Sequence, residues 1–266
     1  MKVDGQVAVV TGASSGIGAA TCLELARHGA TVVAVARRKD RLDEVVTSCR
    51  AHAADSVAHP ADVGSREACE QVITAAVDRF GRVDILVNNA GISIHRAAER
   101  TPPEDVERLM AVNFFGPVYL TMAALPGMLE RQRGAVVNIT SVAGHVPNPG
   151  ESAYGASKAA LSRWSQGLTF DLHGTGVHVG ALSPGPIDTE IWSLDEEVIF
   201  KGKMYPPSLI AAGVVRMIDR EIVAMTVPRS YGAVGAMYPL FGRLMRWGMH
   251  RYEDRAKRSE DGVREQ

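Results

Sequence analysis

Residues 7–18 read VAVVTGASSGIG, a short apolar and β-branched run that ends in a loop holding Gly12, Gly16 and Gly18. The run is strand-length and apolar on both alternating faces, as a strand covered on both sides must be. Residues 16–28 then carry a helical pattern, so the glycines stand at a strand-to-helix turn. Gly12 lets the chain turn tightly. Gly16 and Gly18 let backbone and helix come close to a pyrophosphate, whose charge suits a helix N-terminus. Ser14, Ser15 and Ile17 complete the candidate contacts of this loop. The spacing is GxxxGxG, not the commoner GxGxxG, and turns use glycine anyway, so the flanking strand and helix carry the dinucleotide reading.

Outward from this point the pattern repeats. Apolar runs recur at 31–36, 83–89, 135–140, 177–182 and 222–227, with a weaker one at 56–63. Helical stretches fill the gaps at 16–28, 39–52, 65–79, 103–130, 153–173 and 207–220. Strand and helix in alternation predict an α/β fold: a doubly wound parallel sheet of about seven strands, helices on both faces. Residues 1–228 read as one domain and 229–266 as a C-terminal extension. A chain of 266 residues can bury a core without a metal or disulfide staple. A net charge of −1 gives no basic field to gather nucleic acid. Cys22, Cys49 and Cys69 are odd in number without CxxC spacing, which predicts free thiols in a reducing compartment. No metal-ligand spacing is present, so no metal is expected. The start lacks an apolar signal core, and no unbroken apolar run reaches the ~20 residues that cross a bilayer. The expected location is cytoplasmic.

The end of the second strand selects the dinucleotide. An NAD site usually places an acidic residue there to hold the ribose diol. Here Ala36 stands in that place, followed by Arg37 and Arg38. An acid would repel a 2′-phosphate, whereas an arginine fork binds one at two points. The expected cofactor is therefore NADP(H), with Ser14 adding a hydroxyl. The plainer reading makes Arg37, Arg38 and Lys39 a solvated helix start, although basic residues oppose the helix dipole at that end.

Tyr154 and Lys158 lie four apart within YGASK (154–158), on one face if the stretch is helical. A free tyrosine titrates near ~10, too high for proton transfer at ordinary pH. A neighbouring ammonium and an oxidised nicotinamide would both favour the phenolate. Ser141 ends an apolar strand, and its hydroxyl could hold a substrate oxygen as charge grows on it. Each residue also has a bland reading: Tyr154 and Lys158 as amphipathic packing, Ser141 as a turn cap, Asn113 bonded back to its own helix.

Taken together, TGASSGIG (11–18), ADV (61–63), NNAG (88–91), Asn113, NITS (138–141), YGASK and PGPIDT (184–189) make the chain resemble the short-chain dehydrogenase/reductase family over about residues 5–227. The resemblance implies a Rossmann-type sheet and an NADP(H)-dependent oxidoreductase that interconverts a carbonyl and an alcohol. Tyr154 would be the general acid/base, and Ser141 would orient the substrate. Lys158 would hold the nicotinamide ribose and tune Tyr154. Asn113 would be the fourth catalytic residue, holding a water that links the lysine to solvent. Asp62 and Val63 would flank the adenine, and Asn89, Ala90 and Gly91 would line the adenosine side. Pro184, Gly185, Ile187 and Thr189 would cover the nicotinamide. The family pairs through the helices predicted at 103–130 and 153–173, which implies a homodimer or homotetramer. An epimerase or dehydratase, and a non-catalytic NADP sensor or scaffold, are the alternatives on this fold. The first usually needs a longer chain, and the second would be expected to lack Tyr154 or Lys158.

Substrate is the least legible part. Ser93, His95, Val146 and Trp192 are the candidate contacts, with Glu151 and His145 beside them. The stretch 190–206 is an apolar lid that suits a lipophilic small molecule, or equally a helix packed on the domain. The C-terminus lacks the glycine-rich ending of many family members. Met237, Leu240, Phe241, Leu244, Met245 and Gly248 follow a helical apolar spacing, with Arg243, Arg246 and His250 largely elsewhere. Such a basic amphipathic helix would lie on a membrane surface, embrace a partner subunit or close over the substrate site. The charged tail after 252 is expected to be disordered.

Overall fold

The computed structural model describes residues 1–192, 202–233, 235, 237, 238 and 240–243. The side chain of Trp192, most of the expected lid (193–201) and the C-terminus from 244, with Leu244, Met245, Gly248 and the charged tail, lie outside the described residues. The strands are β1 (Val7–Thr11), β2 (Thr31–Ala36), β3 (Val57–Pro60), β4 (Ile85–Asn88), β5 (Gly134–Ile139), β6 (Val177–Pro184) and β7 (Ala224–Val227). They form a seven-stranded sheet in the order β3-β2-β1-β4-β5-β6-β7, parallel at every pairing. This is the expected doubly wound, Rossmann-type sheet, and its last strand ends at Val227.

The helices are α1 (Gly16–Arg27), α2 (Lys39–Arg50), α3 (Arg66–Phe80), α4 (Pro103–Met110), α5 (Gly116–Glu130), α6 (Ser152–Asp171) and α7 (Pro207–Arg220). The period-2 alternation of each strand divides its side chains between two cores. Ala8, Val10, Val32 and Ala34 enter one core with Leu25 of α1, Leu42 of α2 and Met217 of α7. Val7, Val9, Val33 and Val35 enter the other with Val72 of α3, Leu120 of α5 and Leu168 of α6. Burial on both faces is why these strands read as unbroken apolar runs. Cys22, Cys49 and Cys69 are free thiols inside this packing.

One expected helix is interrupted. Residues 103–130 are α4 and α5 joined by a π-helical turn, Ala111–Phe115. By length and composition alone Pro103–Glu130 would pass for a membrane span. It is the core helix of this face instead, burying Leu120, Ala124 and Met128. Past the sheet, the described residues of 229–243 are helical. This segment folds back onto the domain: a Cβ on Gly185 would lie 3.1 Å from the Tyr231 ring, and one on Gly235 3.3 Å from His145 Cβ.

Candidate active site

A cavity of about 1150 Å³ opens at the carboxyl ends of β1, β4, β5 and β6. It lies where the strand order reverses between β1 and β4, the topological switch point at which open α/β sheets bind ligands. Each glycine of the first loop has its own steric reason. Gly12 (φ 65°) turns the chain, and a Cβ there would lie 2.8 Å from Ala90 Cα. Gly16 (φ 53°) leaves room for the Thr189 side chain, which a Cβ would meet at 2.9 Å. Gly18 does not line the cavity; its Cβ would lie 2.1 Å from the Gly12 carbonyl oxygen, so its smallness seats α1 against the loop. Thr11 joins β1 to the end of β4, its hydroxyl accepting from the backbone N–H of Asn89 and Ala90, both at 3.0 Å.

Ser14, Ser15, Ile17, Arg37 and Arg38 line one end of this cavity, with Asp62 and Val63 beside them. Arg38 Nη2 donates to Ser14 Oγ at 3.2 Å and to Ser15 Oγ at 3.1 Å. Ser15 immediately precedes α1 but its hydroxyl does not cap the helix. The same Nη2 also donates to Glu190 Oε2 at 2.9 Å, a contact that the sequence does not announce. Asn89, Ala90 and Gly91 follow β4 along the cavity floor, while Asn88 lies beneath it, bonded to Thr121 and Asn138.

Ser141, Tyr154 and Lys158 line the other end. Lys158 is buried, its Nζ donating to the Ile139 carbonyl at 3.1 Å. Burial pushes its pKa down to about 8. The small residues around the pair let a 3₁₀ turn, Val142–Gly144, lie directly on α6. A Cβ on Gly155 would come within 2.9 Å of the Ala143 oxygen, and one on Gly144 within 2.9 Å of the Lys158 backbone. Ser141 has the turn-cap role. Its Oγ caps this turn, accepting from Ala143 N at 3.1 Å, and it faces the cavity beside the phenol. The Tyr154 phenol is pushed up to about 12, first by burial. The Ser141 hydrogen bond lowers it and the Glu151 carboxylate raises it further. The expected lowering by Lys158 is not among these causes: the ammonium is turned to the Ile139 carbonyl, and burial prevails.

Asn113 does not line the cavity. It is fully buried in the π-helical turn. Its Oδ1 accepts from Ile92 N at 2.9 Å, and its Nδ2 donates to Ile92 O and to Ser157 Oγ, both at 3.0 Å. It thus fixes the backbone that follows Gly91, and Gly91 is glycine because a Cβ there would meet Lys158 Nζ at 3.2 Å and Asn113 Oδ1 at 3.3 Å. The π-turn supplies the local widening that such a site often uses.

The substrate-side candidates Ser93, His95 and Val146 line the cavity. His95 Nε2 lies 2.9 Å from Glu151 Oε1, and the His95 ring centroid lies 6.1 Å from that of Tyr154. Glu151 also accepts from Asn148 Nδ2 at 2.7 Å. His145 turns away to Ser183 Oγ at 3.0 Å. Pro184, Gly185, Ile187 and Thr189 form the wall after β6. The stretch that follows is cinched at its base, Asp188 N donating to Tyr205 O at 2.9 Å and Tyr205 N to Pro186 O at 3.0 Å. Tyr231, from beyond the last strand, completes the wall. The sequence left open that the extension closes over the site but did not single out Tyr231, whose local pattern carries no sign of a wall residue.

The groups present fit a nicotinamide dinucleotide: Gly12 and Gly16 of a strand-to-helix loop along the groove, an arginine and two hydroxyls at one end, and a buried ammonium at the other. Comparison with known proteins agrees. A family model described as short chain dehydrogenase matches residues 6–197. A short chain dehydrogenase of Pseudocercospora fijiensis is 38% identical over 200 residues, which cover 74% of this chain and 64% of that protein's length. A short chain dehydrogenase/reductase of Burkholderia phymatum, solved in complex with NAD, superposes with a TM-score of 0.84 at 25% identity, covering 92% of this chain and 96% of that one. A short-chain dehydrogenase of Sphingobium yanoikuyae, in complex with NADPH, gives 0.78 at 31% identity, covering 89% and 95%.

Proposed function

The chain belongs to the short chain dehydrogenase family, and on that premise we propose that it is an NADP(H)-dependent oxidoreductase that interconverts a carbonyl and an alcohol on a lipophilic small molecule. The observation that carries this is the convergence of Ser141, Tyr154 and Lys158 on one cavity whose other end holds Arg38 and Ser14. Bound there, a nicotinamide supplies or accepts a hydride. Tyr154 passes a proton to or from the substrate oxygen. Ser141, its oxygen already engaged by Ala143 N, keeps its O–H to donate to that oxygen or to the phenol. Lys158 would hold the ribose hydroxyls. The NADP preference is supported by Arg38, which follows β2 and bonds to Ser14 of the β1–α1 loop, and by Ala36 where an acid would hold a plain ribose. The lipophilic substrate is supported by Ile92, Val146, Ile191 and Tyr231 among the residues that line the cavity.

We take the protein to act in the cytoplasm as a homodimer or homotetramer. Three buried free thiols and the exposed Phe115, Met122 and Phe170 on the α5–α6 side support that reading. The exposed Met237, Leu240 and Phe241 support a further contact with a subunit or a membrane surface. Light scattering and vesicle sedimentation decide between these; a monomer that ignores vesicles would defeat both.

The activity is tested with Tyr154→Phe and a panel of ketones and aldehydes. The variant is expected to bind NADPH as the parent does and to lose about 10²- to 10⁴-fold in kcat. Full turnover by the variant would overturn the proposal.

A further inference from the structure

We propose that Glu190 is a specificity-determining residue: its carboxylate competes with the cofactor's 2′-phosphate for Arg38 and so sets how strongly NADP(H) is held. The inference rests on the NADP reading above and deepens it. Arg38 and Glu190 stand on opposite walls of the groove, Arg38 at the end of the β2–α2 connection and Glu190 in the 3₁₀ turn Glu190–Trp192 after β6. They meet at 2.9 Å. The guanidinium edge that reaches Glu190 is the one that also reaches Ser14 and Ser15, so the anion seat is already engaged by the chain itself. The Glu190 carboxyl is held below its usual range, first by the Arg38 hydrogen bond, then with help from the Ser15 hydroxyl and the charge of Arg41. The turn lies on the glycine loop, since a Cβ on Gly16 would meet the Thr189 side chain at 2.9 Å. The ion pair therefore straps the groove where a dinucleotide's adenosine half would lie.

The two cofactor types meet this strap differently. A 2′-phosphate brings an anion to Ser14 and Arg38, and must displace the carboxylate and overcome its repulsion. A plain ribose brings no anion and leaves the pair in place. Removing the carboxylate's charge should favour the phosphorylated cofactor alone. Arg38 and Glu190 are both about half exposed, at 49% and 47%, so the effect is modest. An exposed pair of this kind corresponds to at most about fivefold in a binding constant.

The test is a binding titration by nicotinamide fluorescence, which needs no turnover. Wild type, Glu190→Gln, Arg38→Ala and the double variant are each titrated with NADPH and NADH. Glu190→Gln is expected to bind NADPH about three- to fivefold tighter and NADH within twofold of wild type. In the Arg38→Ala background the same change should give no gain, because the competition has lost its object. Unchanged or weaker NADPH binding by Glu190→Gln, in a protein whose wild type prefers NADPH, would overturn the inference. An equal gain for both cofactors, or a gain that survives without Arg38, would overturn it too. A wild type that prefers NADH would overturn the cofactor reading itself, and this inference with it.

Discussion

At the glycine-loop end of the cleft, backbone meets backbone: a Cβ on Gly18 would lie 2.1 Å from the Gly12 oxygen, and one on Gly12 2.8 Å from Ala90 Cα. At the phenol end, side chain meets side chain: His95 with Glu151 at 2.9 Å on the cavity wall, and His145 with Ser183 at 3.0 Å behind it. The first kind of contact admits one residue type and leaves a mark in a few consecutive letters. The second joins positions 56 and 38 residues apart, and many other pairs could satisfy it. One end is therefore rigidly specified and the other is open to exchange.

The largest test of that contrast is Gly18→Ala. A methyl forced onto a backbone oxygen has no side chain to push aside, so the variant should lose about 3 kcal/mol, or roughly 10 °C in Tm. Calorimetry reads this directly. An unchanged Tm would mean that the loop gives way freely, and the contrast between the two ends would be false.

The next test uses Lys158. Burial takes its pKa from 10.5 down to about 8. Between those values the unfolded chain binds more protons than the folded one, so stability should rise as pH goes from about 8 to about 10.5. The total is on the order of 3 kcal/mol. Tyr154, raised from 10 to about 12, acts with the opposite sign and removes stability above about pH 10. Denaturant unfolding of wild type and Lys158→Met across this range isolates the lysine contribution. Two curves that run parallel between about pH 8 and pH 10 would show that the buried ammonium carries no such penalty.

The smallest effect is expected at the substrate end. Glu151→Gln keeps an oxygen for His95 but removes the charge that raises the phenol. The kcat/KM profile for alcohol oxidation should move toward lower pH, worth about threefold at a fixed pH below the limb. A profile that stays put would separate the His95–Glu151 pair from the proton-transfer site.

This contrast also explains what the sequence could disclose. The strands were legible because burial on both faces leaves nothing but apolar and β-branched residues, as in TVVAVA at β2. The glycine loop and the Tyr154–Lys158 pair were legible because their spacing is local. The π-turn at Ala111–Phe115 was not: one extra residue in a turn does not disturb an apolar pattern that continues on both sides, so 103–130 reads as a single helix. That turn also carries Asn113, which is buried behind the cavity wall. Arg38 was legible as a candidate anion contact, but its partner Glu190 lies 152 residues away and read only as the start of a lid. Lys158 was expected to lower the phenol, and only the fold shows its ammonium turned to the Ile139 carbonyl.

The reversal of strand order between β1 and β4 has one more consequence. Successive connections leave the sheet in opposite directions there, so the crevice arises from how the chain is wound and not from material removed from either apolar layer. A hollow obtained in this way takes nothing from the packing that keeps the chain folded. The wall beyond Val227 can therefore be traded for another, to admit a different guest, whereas Ile187 after β6 belongs to the core itself and ties its wall to the layers beneath.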